Sequence, residues 1–184
     1  MLKLTGGAHR GRSLKWLDTP TIRPTPARVR EAVFNILADQ VDESCWWDLC
    51  CGSGVVGFEA LSRGAGKVVF VDQNRRSLQL LKDNLIKFEL KDRAEIFCMD
   101  ALRWLKRRDG IDARFIYCDP PYESRLYQPL LDCLGQLPLT DGPVTLILEY
   151  RKARQNWQPQ APWILSDERQ YGDTCLALLE REEA

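Results

Sequence analysis

Five short apolar runs, each followed by a stretch with helical or turn character, constrain this 184-residue chain more than any other feature. The strand-like runs fall at about 45–50, 67–72, 93–99, 113–118 and 143–149. The helix-like stretches fall at about 55–63, 74–87, 101–108 and 124–136. Around the second of these, Leu78, Leu81, Leu85 and Phe88 recur on one face, the stripe of a helix packed on a core. Strands that alternate with helices are joined by crossovers, so they lie parallel and the helices cover both faces of one sheet. Two further runs, about 162–169 and 174–180, flank the turn Gln170-Tyr171-Gly172-Asp173 and predict an antiparallel pair. At the other end, Leu2–Leu4 and Arg12–Trp16 read as a hairpin around Gly6-Gly7 and Gly11. A proline-punctuated linker, Asp18–Pro26, follows. Thr25 is expected to cap a helix with Pro26 at its first position, and Val29, Ala32, Val33, Ile36 and Leu37 then keep helical spacing. The expected organisation is an extension over 1–24 and one α/β domain over 25–184.

Open parallel sheets bind ligands beyond the carboxyl ends of their strands. Four such ends carry polar chemistry here. The first is Asp48-Leu49-Cys50-Cys51-Gly52-Ser53-Gly54, continuing to Gly57, where glycines let backbone approach a ligand closely. The second ends at Asp72, placed to accept ribose hydroxyls, and the third at Asp100-Ala101, placed to accept from an adenine amine. Gly52 to Gly57 matches G-x-G-x-x-G with an acid twenty residues on, so a nicotinamide dinucleotide is one reading. The negative charge of Asp48 fits a cationic ligand better, and S-adenosyl-L-methionine combines a sulfonium, a ribose and an adenine. The cofactor-binding candidates are therefore Asp48, Cys50, Gly52, Ser53, Gly54, Asp72, Asp100 and Ala101.

The fourth end is Asp119-Pro120-Pro121-Tyr122, after the apolar run Phe115-Ile116-Tyr117-Cys118. Pro121 has no N–H, and Asp119, preceding a proline, is held extended. The Asp119 carboxylate and the Pro120 carbonyl can both accept from one exocyclic NH2, while Tyr122 stacks on the ring that bears it. These four residues are the catalytic candidates, against the alternative of a capped turn.

Seven cysteines, no C-x-x-C pair and a single histidine, His9, argue against a zinc site. Cys118 reads as a core thiol in an apolar run rather than a nucleophile. No apolar run is long enough to span a membrane, and the N-terminus has no long apolar leader stretch, so a cytoplasmic protein without metal is expected. Charge is uneven although the total is zero. Residues 1–30 hold seven basic residues and one acid, a net +6, and the rest of the chain sums to −6. A cationic arm on an anionic body points to a phosphate-rich partner, or to a solvated hairpin surface.

With these residues assembled, the chain resembles the RsmD family of 16S ribosomal RNA guanine-N2 methyltransferases over nearly its whole length. The resemblance rests on Gly6-Gly7-Ala8-His9-Arg10-Gly11-Arg12, on Arg23-Pro24-Thr25 with Arg28 to Asn35, on Asp48 to Gly54, on Ala60 to Ala65, on Asp119 to Tyr122 and on Tyr171 to Thr174. The tetrapeptide is common to many amino-methyltransferases; the terminal blocks carry the narrower resemblance. Cys50-Cys51 departs from the Phe-Ala frequent in such loops, and Pro143 from a Gly-Gly. The resemblance implies a class I S-adenosylmethionine-dependent methyltransferase (Rossmann-like) fold, with a mostly parallel seven-stranded sheet, an antiparallel last strand and an N-terminal β-hairpin extension. It also implies methylation of one guanine N2 amine in 16S ribosomal RNA or an assembling small subunit; a monomer is the simplest expectation. Arg10, Arg12, Arg23, Arg28 and Arg30 are the expected RNA contacts. Glu31 and Asn35 are expected to face the cleft. Adenine N6 in DNA or RNA is the alternative target.

Overall fold

The computed structural model describes residues 2–18, 24–121 and 125–181. After a short hairpin of β1 (Leu2–Lys3) and β2 (Ser13–Leu14), the chain runs α1 (Ala27–Leu37), β3 (Cys45–Leu49), α2 (Val55–Ser62), β4 (Lys67–Asp72), α3 (Arg75–Lys87), β5 (Ala94–Cys98), α4 (Ala101–Leu105), β6 (Phe115–Cys118), α5 (Tyr127–Gln136), β7 (Val144–Arg151), β8 (Ile164–Tyr171) and β9 (Thr174–Arg181). The seven-stranded sheet has the order β5-β4-β3-β6-β7-β9-β8. β5, β4, β3, β6 and β7 are parallel, and β9 is antiparallel to both β7 and β8. This is the α/β sheet expected from the alternation. The strand order reverses between β3 and β6, which places the ligand-binding crevice where the glycine loop and Asp119 emerge.

Helices cover both faces. On one, α1, α2 and α3 pack on Trp46, Phe70, Phe115 and Tyr117. On the other, Trp104 of α4 and Leu130, Leu131 and Leu134 of α5 pack on Trp47, Leu49 and Ile116. The α3 stripe of Leu78, Leu81, Leu85 and Phe88 is buried as its spacing predicts.

The ends of several elements differ from expectation for local reasons. Asn74 caps α3, its side chain accepting from Arg76 N and Ser77 N at 3.0 and 3.2 Å. α4 stops at Leu105 because the next turn tightens: Arg107 N bonds to Trp104 O and Arg108 N to Leu105 O, three residues back. Thr25 does not cap α1. Pro26 holds the cap position, with no side-chain cap bond, and its carbonyl accepts from Val29 N and Arg30 N.

The arm is fastened to the helices, not free. Leu2, Leu4 and Leu14 join the core on the α1–α3 face. Ala8 N donates to Ser62 O (2.7 Å) and His9 N to Ser62 Oγ (2.9 Å), at the end of α2. Asn84 of α3, 1% exposed, clamps the Lys15 backbone in both directions at 3.0 and 2.7 Å. Since α2 and α3 run back toward the amino ends of the strands, the hairpin tip lies at the amino edge of the sheet. The reactive strand ends lie at the carboxyl edge. The six residues of β4 alone separate the two edges by about 20 Å. Among the described residues no helix is long and apolar enough to cross a membrane.

Candidate active site

The site is built from four consecutive strand ends. β3 and β6 are tied at the reversal point by Asp119 N bonding to Leu49 O at 3.4 Å. The loop after β3 turns sharply, with Gly54 N on Cys51 O at 2.7 Å and Cys51 N on Val71 O at 3.1 Å. Gly54 sits at φ +70, and a Cβ there would lie 2.4 Å from Leu81 Cδ1, so only glycine lets the loop press on α3. Gly52, also left-handed at φ +50, has open space where a Cβ would stand. Cys50 shares that backbone region at φ 58.

The carboxylates divide by role. Asp48 is 2% exposed and accepts from Gly57 N at 3.0 Å. Burial pushes its carboxyl up to about 8, with the Gly57 bond acting against that shift. Burial therefore disfavours the charge expected before the loop, and a cation bound there would favour it again. Asp72 accepts from Gly52 N (2.8 Å) with one oxygen and Asn74 N (2.7 Å) with the other, so it orients the glycine loop and keeps lone pairs for a further donor. Asp100 caps α4 through Arg103 N at 2.9 Å, and Ala101 starts that helix. Ser53 is buried behind the loop. Cys50, Gly52, Asp72, Asp100 and Asp119 all keep partly open surface at this edge. Open backbone at Gly52, an acceptor at Asp72 and a carboxyl at Asp48 that a cation would ionise together fit S-adenosyl-L-methionine.

At the fourth strand end, burial first, then the charges of Glu149 and Asp48, push the Asp119 carboxyl well above the usual carboxylate range. The Pro120 carbonyl is not left without a donor. The hydroxyl of Tyr127, from the first turn of α5 and 1% exposed, lies 3.1 Å from Pro120 O and 3.0 Å from Glu149 O. Tyr127 thus fixes the carbonyl that the tetrapeptide was expected to offer, and that carbonyl retains a second lone pair. Below it, Tyr117 donates to Glu149 Oε2 at 2.5 Å. Neither Tyr127 nor Glu149 stands out in the sequence, Tyr127 falling in the helix-like stretch 124–136 and Glu149 at the end of the apolar run 143–149. Tyr122 lies outside the described residues, as does Arg23. Cys118 is fully buried and its thiol is raised well above normal, first by burial, which makes it a core residue.

The arginines expected to meet RNA separate sharply. Arg30 is corrected: it is 2% exposed, pairs with Glu59 Oε1 at 3.1 Å, and donates to Thr25 O and Lys3 O at 2.5 and 2.6 Å. The fully buried Glu59 also accepts from Thr5 N and Gly6 N at 2.7 and 3.3 Å. This pair staples the arm to α2, so Arg30 cannot reach a phosphate. Arg12 is also used internally: it donates to Lys87 O, the last carbonyl of α3, at 3.1 Å and lies 4.0 Å from the Phe88 ring centroid. Arg10 is exposed at the hairpin tip, on the amino edge. Arg28 is exposed at the start of α1, over the Tyr171 ring. Glu31 and Asn35 are exposed on α1, which packs through Val29, Arg30, Val33, Phe34 and Leu37.

The fold and this row of strand ends define the class: an S-adenosyl-L-methionine-dependent methyltransferase. The family described as Conserved hypothetical protein 95 matches residues 2–180, and the chain belongs to that family, the RsmD family. It is 30% identical to the putative rRNA methyltransferase YlbH of Bacillus subtilis, across 98% of this chain and 99% of that protein. It is also 30% identical to the ribosomal RNA small subunit methyltransferase D of Escherichia coli K12, across 98% and 90%. Among solved structures, the putative methyltransferase yhhF from Escherichia coli superposes with a TM-score of 0.87 at 28% identity, covering 100% and 99% of the two chains. An RNA methyltransferase from Salinibacter ruber, solved with S-adenosyl-L-homocysteine, shares the fold at TM-score 0.68 and 16% identity over 88% and 95%.

Proposed function

We propose that this protein methylates the exocyclic N2 amine of one guanine in 16S ribosomal RNA. The observation that carries the reading is the pair of acceptors at the end of β6: the Asp119 carboxyl and the Pro120 carbonyl, the latter held by Tyr127. S-adenosyl-L-methionine, when bound, supplies an electrophilic methyl on a sulfonium. Asp48, Gly52, Ser53 and Gly54 would hold it from β3, Asp72 from β4, and Asp100 with Ala101 from β5.

An aryl amine is a poor nucleophile because its lone pair is delocalised into the ring. Asp119 and Pro120 O would each accept a hydrogen bond from one amine N–H, which favours a pyramidal nitrogen with its lone pair turned toward the methyl. That combines positioning with electrostatics. Transfer of that methyl to the nitrogen would leave the electron pair of the broken S–C bond on sulfur. The amine becomes acidic only then, and its proton passes to Asp119 or to water. The ionised form of Asp119 would receive it, and the burial that raises this carboxyl makes that form the stronger base. The base must leave its stack to reach this edge.

The nearly full-length similarity to a small-subunit rRNA methyltransferase supports RNA over DNA, and the resemblance of the blocks at Gly6 to Arg12 and Tyr171 to Thr174 to the RsmD family favours guanine N2 over adenine N6. Mass mapping of ribosomal RNA from cells lacking the protein tests this: one guanine of the small subunit should lose a single methyl. An unchanged map of that RNA would exclude it.

A further inference from the structure

Some cations of this chain are engaged by the protein itself, including Lys152 with Glu168 and Arg169 with Asp167 towards the carboxyl edge, and others are not. Near the amino edge many of them bond to the protein itself. Arg63 pairs with Glu59, Lys67 with Glu95 and Arg108 with Asp112. Arg93 donates to Leu61 O and Ala65 O, Arg114 to Pro143 O and Gln40, and Arg181 to Leu134 O and Leu137 O. Arg12 and Lys87 likewise hold the hairpin on α3.

The carboxyl edge carries five exposed arginines of another kind. Arg28 opens α1, Arg75 and Arg76 open α3, Arg103 stands in the first turn of α4, and Arg125 precedes α5. Among the described residues none of the five makes an ion pair or a side-chain hydrogen bond; Arg28 alone has a partner, the Tyr171 ring at 5.5 Å. They come from both faces of the sheet, four from the first turns of helices and Arg125 from the segment between β6 and α5. Two carboxylates of that edge, Asp72 and Asp100, are turned to backbone N–H groups. A long cation held ready with no protein counter-charge gains nothing for the fold. It is available to a polyanion.

We infer that these five arginines, and not the hairpin, form the phosphate-binding face for the RNA strand that presents the target base. This rests on the methyltransferase reading above. An extruded nucleotide stays bonded to its two flanking phosphates, so the groups that grip those phosphates must stand around the reacting end of β6. Arg28, Arg75, Arg76, Arg103 and Arg125 do. Arg10 and Arg12 stand about 20 Å away, the length of a β4-sized strand.

The test is the salt dependence of binding to 16S ribosomal RNA purified from cells lacking the protein. Each phosphate neutralised adds about 0.7–0.9 to the slope of log K against log salt. The doubles R75Q/R76Q and R103Q/R125Q should each flatten that slope by about 1.5 and weaken binding at low salt, while R10Q leaves it unchanged. Thermal melting confirms that the variants fold. Methyl transfer to the same RNA by the unaltered protein is measured alongside. If it proceeds but the doubles keep the full slope, or R10Q flattens it equally, the assignment of the face is wrong and the reaction stands. If the unaltered protein transfers no methyl to this RNA, the reaction assigned above fails and this inference falls with it.

Discussion

Replacing Glu59 with alanine should cost the fold about 4 kcal/mol, the range for stripping one partner from a buried ion pair. Glu59 is fully buried in the middle of α2, a helix whose eight residues are all buried. Its two oxygens serve Arg30 Nε, Thr5 N and Gly6 N, with Arg63 Nε at 3.5 Å. Without it, the Arg30 guanidinium, 2% exposed, keeps two backbone carbonyls but has no counter-charge, and two arm N–H groups lose their acceptor. With a urea slope of about 2 kcal/mol/M, the unfolding midpoint should drop by about 2 M. The double replacement Arg30→Met with Glu59→Met should cost less than the sum of the two single changes, because no charge is then stranded. The readout is urea unfolding followed by circular dichroism. A loss below about 1 kcal/mol for Glu59→Ala, within the range of an exposed pair, would refute the view that this pair staples the arm.

Asp119→Ala should lower turnover by about 10²-fold or more while leaving cofactor affinity nearly unchanged, as measured by single-turnover methyl transfer beside equilibrium dialysis. Tyr127→Phe, which removes only the hydroxyl on Pro120 O, should slow turnover by about tenfold, roughly 1.4 kcal/mol, without moving cofactor affinity; an unaltered rate would contradict its positioning role. The pH behaviour follows from Asp48, pushed up to about 8 by burial. Between roughly pH 4 and 8 the folded chain keeps a proton that the unfolded chain has shed, so Asp48 makes stability fall as pH rises across that window. Asp48→Asn should flatten that dependence in thermal melts. A bound cation favours the ionised form, so the preference for S-adenosyl-L-methionine over the neutral-sulfur S-adenosyl-L-homocysteine should grow several-fold from pH 6 to 8, and Asp48→Asn should abolish the growth.

Much of this architecture is legible in the chain because local signals agree. The apolar runs, the α3 stripe and the turn at Tyr171-Gly172 each specify an element, and alternation then leaves few topologies. The acids at four strand ends follow from the same logic, since a parallel sheet collects them on one edge. What stays hidden depends on pairing across the chain. Arg30 looks like its basic neighbours until Glu59, 29 residues on, meets it in the core; the one signal was a carboxylate inside the otherwise apolar Val55-Val56-Gly57-Phe58-Glu59-Ala60-Leu61. Tyr127 reads as core, and only its hydroxyl contact with Pro120 O reveals a further use. Arg10 and Arg12 carry the expected charge, but the direction of α2 and α3 decides which edge they occupy. Pro26 takes the cap position because it directly precedes the first residue of α1, where its fixed φ fits.

The most direct measurement is methyl transfer in vitro to 16S ribosomal RNA, or small subunits, purified from cells that lack this protein, using isotopically labelled S-adenosyl-L-methionine and nucleoside mass analysis. One label per RNA, recovered as N2-methylguanosine and lost with Asp119→Ala, is the predicted result. Label recovered as N6-methyladenosine, or none at all with fully folded protein, would contradict the account.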